Sequence, residues 1–327
     1  MTNLLAGNPV LRRFDPAVLT AFGCIIVLLL IGSLINENFL SPEYLLQQLQ
    51  VGAFLALIST GMMIVILLGQ IDLSVPWIIT VGGMMSTAAA GWGDWGPTFA
   101  IPVGILCGLI FGLINGIGVA YLRVPSMIFT LGINAVAQGF MIVRTGGFAP
   151  QDMATESMHE IATGRLVFGI PNPVWVWVAV GAATVFLLRR TVFGRAVYAI
   201  GNNQTAALFS GIRVGRVKFV LFLLTGLMSG VAAICLTSRL GSTRPSIALG
   251  WELEVVTMVV LGGVNILGGS GTIPGVVIAA VIMGMVTFGF GLLNVPGIVM
   301  SIFIGLLLIL VIGLPIVWRR VFMRRPA

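Results

Sequence analysis

Charged side chains are scarce in this chain. Only 8% of its 327 residues are Asp, Glu, Lys or Arg while 58% are hydrophobic, against roughly 25% charged in an ordinary soluble domain. No water-soluble fold of this size could hide so much apolar side chain. Its single lysine, Lys218, follows Val217, so the G-x-x-x-x-G-K-[ST] phosphate loop is missing and the chain does not hydrolyse ATP by itself. Any ATP-driven function requires another subunit. The single histidine, His159, has no second ligand or nucleophile near it in sequence and is expected to be a surface side chain. Cys24, Cys107 and Cys235 lie inside apolar blocks without a pairing spacing or a Cys/His cluster, which supports neither a disulfide framework nor a metal site. No Ser/His/Asp set or paired carboxylates in a polar context occur either, so catalysis is largely excluded. The net charge of +7 does not indicate nucleic acid, because the basic residues stand singly or in pairs between apolar blocks.

What the chain has in abundance is apolar runs of about 17 to 25 residues, the length that crosses a hydrocarbon core at ~1.5 Å per residue. The reading is an all-α, polytopic transmembrane helical bundle of about ten spans with broken helices, one transmembrane domain over 1–327. Candidate spans are 17–35, 49–69, 75–91, 97–121, 124–143, 174–188, 219–237, 251–267, 273–291 and 296–317. The first follows Arg12 and Arg13 like a signal peptide, but it is too long for one and no small-x-small cleavage site follows, so it is expected to be a retained helix. With the N-terminus inside, 13 basic residues fall in cytoplasmic segments and Arg144, Arg165, Arg239 and Arg244 outside. That bias predicts cytoplasmic N- and C-termini. Two longer loops result, 144–173 outside and 189–218 in the cytoplasm.

Within the spans, residue spacing suggests faces. Gly104, Gly108, Gly112 and Gly116 recur every four residues, a small-xxx-small stripe that lets two helix backbones approach. Helix packing is the preferred reading over a glycine-lined path, and whether the facing helix belongs to this chain or a second copy is open. Ser126, Thr130, Asn134 and Gln138 form a polar stripe at the same spacing. Such side chains need other helices or a wet cavity. They serve either as interhelical hydrogen-bond partners or, with Asn115, as the lining of a path for an uncharged solute.

Gly69-Gln-Ile-Asp-Leu-Ser-Val-Pro76 separates two spans. Ser74 or Asp72 can cap the helix that Pro76 opens; alternatively the segment is a helix break lining the translocation path. A glycine-richer counterpart, Leu261-Gly-Gly-Val-Asn-Ile-Leu-Gly-Gly-Ser-Gly-Thr272, contains Asn265. The two share a faint echo, Leu68-Gly-Gln-Ile-Asp72 against Leu261-Gly-Gly-Val-Asn265, without the spacing of a simple duplication. In the cytoplasmic loop, Asn202 or Asn203 can cap a short helix over Gln204 to Ser210 that Gly211 ends. Its apolar Ala206, Ala207, Leu208 and Phe209 must be covered by membrane, by the bundle or by a partner.

Taken in order, Ile71-Asp-Leu-Ser-Val75, Gly112-Leu-Ile-Asn-Gly116, Thr191-Val-Phe-Gly-Arg195 with Tyr198-Ala-Ile-Gly-Asn202, Ser210-Gly-Ile212, and Val260-Leu-Gly-Gly263 with Gly268-Gly-Ser-Gly-Thr272 resemble the ribose-type sugar ABC importer permeases. The resemblance runs from about 50 to 315. It implies a bacterial inner-membrane permease working with a second permease copy or paralogue, cytoplasmic ABC ATPases that carry ATP and Mg, and a periplasmic solute-binding protein. No cofactor in this chain and no nucleic acid are implied. The resemblance also implies that the segment holding Arg195, Gly201, Asn203, Ala206, Ala207, Leu208, Ser210 and Gly211 docks into the ATPase. Gln70 and Pro76 replace glycines of the family pattern, and Asn203-Gln204 stands where Asn-Glu or Asn-Asp is common. The solute class stays open among ribose-, rhamnose- and autoinducer-type molecules. A rival class, the ion-coupled secondary transporter, needs an ion site near the midplane, for which Asp72 is the one approximate candidate.

Overall fold

The computed structural model describes residues 26, 29, 30, 32–34, 37–146, 153–243, 245 and 247–322. After a 3-10 turn at Glu37–Leu40, the helices are α1 (Pro42–Ile66), α2 (Val75–Ala90), α3 (Gly96–Ala120), α4 (Ser126–Thr145), α5 (Glu156–Thr163), α6 (Asn172–Arg190), α7 (Val192–Asn202), α8 (Gln204–Phe209), α9 (Val214–Leu240), α10 (Trp251–Leu261), α11 (Ile273–Leu292) and α12 (Gly297–Phe322). A short antiparallel pair, β1 (Arg165–Val167) and β2 (Ile170–Pro171), precedes α6. The architecture is all-α and polytopic.

Helix boundaries follow local chemistry. Ser41 accepts from the Tyr44 N–H ahead of α1, and Pro42 needs no N–H partner there. Thr155, Thr191 and Asn203 cap α5, α7 and α8 through Met158, Gly194 and Ala206 N–H groups at 3.3, 3.1 and 2.9 Å. Gly146 and Gly241 end α4 and α9 in left-handed geometry.

Among the described residues, six helices are long and apolar enough to cross a membrane, with shorter apolar helices at Val75–Ala90 and Gly297–Gly313. The expected count of about ten is therefore not established, and most of the expected span 17–35 lies outside the described residues. The expected span 251–267 needs correction: α10 stops at Leu261 and Gly263 turns with φ +82°. Hydropathy runs on through Gly-Gly-Val-Asn-Ile-Leu, but the backbone leaves the helix. Conversely, α9 starts at Val214, five residues before the expected 219, and so includes Arg216 and Lys218.

The core is α1, whose residues from Gly52 onward are buried. Around it pack α9, α11, α6 and α10. The glycine stripe on α3 lies against α9 of the same chain. A Cβ on Gly112 would lie 2.8 Å from the Phe222 carbonyl oxygen, and one on Gly116 3.1 Å from that of Phe219; Gly108 meets the Gly226 and Gly230 backbone, and Gly104 the Gly82 carbonyl of α2. Small residues thus bring the backbones together where lipid gives helices no hydrophobic drive to associate. The outward faces are apolar, as at Ile128, Val136 and Val143 of α4 and Ile298, Ile302 and Leu306 of α12, the surface that hydrocarbon solvates.

Connections sort to two ends. One end gathers 67–74, 121–125, 191–213 and 262–272. The opposite end gathers 91–95, the segment around α5, and 241–250, joined by Ala154 N–H to Gly241 O at 2.8 Å and by Gln50 Nε2 to Ala162 O at 2.6 Å.

Candidate translocation and coupling site

Two helix breaks meet at the first of these ends. Break one runs from Leu67 to Ser74. It turns at Gly69 with φ +69°, and its extended backbone is then satisfied by side chains from α4. Ile71 N–H donates to Ser126 Oγ at 3.3 Å and Leu73 N–H to Thr130 Oγ1 at 3.0 Å. The polar stripe of α4 therefore supplies at its lower half the acceptors that the missing helical carbonyls would have supplied.

Asp72 is wholly buried. Its Oδ1 accepts from the Ser74 N–H at 3.0 Å and the Ser74 hydroxyl at 2.5 Å, and Asn115 Nδ2 donates to Ser74 Oγ at 2.7 Å while lying 3.5 Å from both carboxylate oxygens. Asp72, Ser74 and Asn115 are thus one buried network that closes the start of α2, and Thr130 holds the adjacent Leu73 backbone. Ser74 is the N-cap by position, but Asp72 provides the side-chain acceptor. Above this network, Asn134 and Gln138 are half-buried on α4. Asn134 Oδ1 is enclosed and has no hydrogen-bond partner among the described residues, as is Asn115 Oδ1.

Break two, Gly262 to Thr272, is built from backbone. Gly263, Gly268, Gly269 and Gly271 all have positive φ, which glycine alone adopts without steric cost. Asn265 is exposed and does not join the Asp72 network. Its Oδ1 accepts from Leu267 N–H at 3.1 Å and its N–H donates to Ser270 O at 2.9 Å, so it shapes the loop locally.

The two breaks are tied to each other and to α7. Gly269 N–H donates to Leu67 O at 3.0 Å. Asn202 Nδ2 donates to Gly269 O at 3.3 Å and to Tyr198 O at 2.8 Å, and Tyr198 Oη donates to Gly271 O at 3.0 Å. Burial pushes the Tyr198 phenol pKa up, partly opposed by Arg189, which keeps the donor proton in place at neutral pH. At the centre stands Gly201. Any Cβ there would collide with the Leu67 carbonyl and the Gly269 backbone. Three backbones, from α7 and both breaks, touch at that one residue.

The next residues form α8. Asn203 caps it, Ala207 is buried against the bundle, and Gly211 follows with φ +82°. Ala206 and Ser210 are exposed, as is Arg195 on α7. Leu208 is 59% and Phe209 86% exposed, so this turn presents apolar side chains away from the core.

Sequence spacing did not reveal the Leu67–Gly201–Gly269 contact, because backbone atoms make it; the glycines were its one trace. It also missed Glu254, which at the opposite end is only 4% exposed and accepts from Thr287 Oγ1 at 3.3 Å, beside Arg239 in a cavity of about 100 Å³. The rest of that cavity is lined by Val51, Phe54 and Leu55 of α1, Leu236 of α9, Trp251 of α10 and Met300 of α12.

The two broken helices of this multi-pass helical membrane protein are thus held by α7, next to the exposed turn α8, and by its relatives the chain is, as a class, a transport permease. The chain belongs to the family described as branched-chain amino acid transport system / permease component, which matches residues 44–312. It is 36% identical to the L-arabinose ABC transporter permease protein AraH of Azospirillum brasilense, over 81% of this chain and 77% of the relative. It is 36% identical to the ribose import permease protein RbsC of Bacillus subtilis over 88% of each, and 32% to the D-allose transport system permease protein AlsC of Escherichia coli over 90% of each. No solved structure matches it.

Proposed function

We propose that the chain is the permease subunit of an ATP-binding-cassette importer for a neutral sugar or sugar-like solute, working by alternating access. The observation that carries the proposal is the contact at Gly201, where α7 meets both breaks. In this reading, α8 docks by Leu208 and Phe209 into a cytoplasmic ATPase that binds ATP and Mg. Closure of the ATPases displaces α8 and α7, and the Gly201, Asn202 and Tyr198 contacts carry that displacement into 67–74 and 262–272 together. Movement of break one shifts the feet of α2 and α4. The path between the two openings then lies along α4 toward Asn134 and Gln138, whose neutral amides suit hydroxyl groups.

The end that holds α8 is assigned to the cytoplasm, in keeping with Arg123, Arg189, Arg190, Arg195, Arg213, Arg216 and Lys218 at that end. The opposite end would receive solute from a periplasmic binding protein, and a second permease copy or paralogue would complete the path. The relatives named for arabinose, ribose and allose support a polyhydroxylated solute. The test is uptake into proteoliposomes containing the whole complex, with a panel of pentoses and hexoses delivered by the binding protein. Uptake is expected only with ATP inside or outside on the ATPase face. Uptake driven by a proton or sodium gradient without ATP would establish the ion-coupled alternative instead.

A further inference from the structure

Beside α8 lies a cleft of about 790 Å³ between the α3–α4 turn and the start of α9, lined among others by Tyr121, Arg123, Arg213, Arg216 and Lys218. Its charge is of one sign. Of the described carboxylates, Glu37, Glu43, Asp94, Glu156, Glu160, Glu252 and Glu254 all belong to segments at the opposite end, and Asp72 is wholly buried in its own network. No described acid is therefore placed to neutralise these cations. Arg123 adds a second, independent sign. It holds φ +58°, a left-handed conformation that costs an arginine roughly 1 kcal/mol or more and that glycine or asparagine adopts more cheaply. Arg123 thus lines the cleft in a conformation that a smaller residue would adopt at lower cost.

The cleft also continues onto hydrocarbon-facing surface. Leu113 and Ile117 of α3 and Tyr121 at its C-cap are exposed and lie four residues apart, so one apolar stripe leads straight down to the cations. We propose that this is a binding site for an anionic phospholipid: the phosphate is held by Arg123, Arg213, Arg216 and Lys218, and an acyl chain lies along Leu113, Ile117 and Tyr121. Arginine forks match phosphate oxygens in two-point contacts, and the lysine adds a point charge. Gln204 and Leu208 of α8 line the same cleft, so the bound headgroup sits against the turn proposed to meet the ATPase. The site depends on the membrane position of the chain and not on the identity of the solute.

The test uses the full chain alone in phosphatidylcholine nanodiscs doped with phosphatidylglycerol, followed by mild detergent extraction and mass spectrometry of the retained lipid. Wild type is expected to retain phosphatidylglycerol over phosphatidylcholine. Arg213→Gln with Arg216→Gln is expected to lower that preference roughly 10- to 30-fold, the loss of two juxtamembrane cations. The paired Lys substitutions should keep most of it, and Arg165→Gln, at the opposite end, all of it. Equal retention by the Gln pair and wild type overturns the site. Displacement of the lipid by inorganic phosphate at equal concentration would assign the cleft to a free anion and overturn the lipid. Unchanged lipid retention with lost ATPase co-purification in the Gln pair would assign the cations to a protein partner and likewise overturn it.

Discussion

The two helix breaks face the same end of the bundle and solve the same problem by opposite means. Break one leaves the helix with few glycines, and its stranded N–H groups are met by Ser126, Thr130 and Asp72 from buried positions. Break two is partly open to solvent and bends at Gly263, Gly268, Gly269 and Gly271. The first is a side-chain lock with every member buried; the second is a glycine-built loop held by contacts to α7 and to Leu67. A buried polar network tolerates loss of a member poorly, because the remaining groups keep their desolvation cost. A solvated loop tolerates it well. Substitutions in break one should therefore act on stability, and those around break two on coupling.

The largest expected effect comes from α8, the element proposed to drive both. Leu208→Asp places a carboxylate on the proposed apolar docking surface, costing several kcal/mol if it is buried unpaired. Membrane abundance should stay normal while ATPase co-purification and uptake are both lost, and Leu208→Met should retain all three. Next is Asp72→Leu, which strips the Ser74 N–H and the Ser74 hydroxyl of their acceptor in a site with no exposure. A loss of ~3 kcal/mol is expected, read as a lower thermal midpoint in detergent. Asp72→Asn keeps an acceptor oxygen and should lose less than half as much; equal losses would show that the charge, not the hydrogen bonding, holds break one.

Helix breaks, the α3 glycine stripe and the Asn203 cap were legible in the sequence because each leaves a local mark: a spacing, a capping residue, a Gly-rich interruption. The partners of the polar stripe were not. Ser126 and Thr130 stand more than fifty residues from Ile71 and Leu73, and the acceptors serve backbone N–H groups that carry no side-chain signature. Hydropathy misplaced the end of α10 because glycine, valine and isoleucine read as apolar whatever their φ. It misplaced the start of α9 for the converse reason, since Arg216 and Lys218 are charged yet helical.

Smaller effects sharpen the contrast between the breaks. Tyr198→Phe removes the hydroxyl that donates to Gly271 O at 3.0 Å. The freed carbonyl is near solvent, so a stability loss of only ~1 kcal/mol is expected, with a clearly larger relative drop in uptake. Asn265→Ala should be smallest. It loses one exposed loop hydrogen bond to Leu267 and should shift the thermal midpoint by less than about 1 kcal/mol equivalent, with near-normal uptake. A strong transport defect in Asn265→Ala at normal stability would place that side chain on the solute path after all.

Gly201 is where the account is most exposed, since there α7 touches Leu67 of one break and Gly269 of the other. The direct measurement is the number of solute molecules imported per ATP hydrolysed by the reconstituted complex, wild type against Gly201→Ala. A methyl group at that position must push α7 away from both breaks. In Gly201→Ala the ATPase should still co-purify and still hydrolyse ATP while import per ATP collapses. An unchanged ratio, with Gly201→Ala folded and assembled, would contradict the claim that this contact transmits the motion.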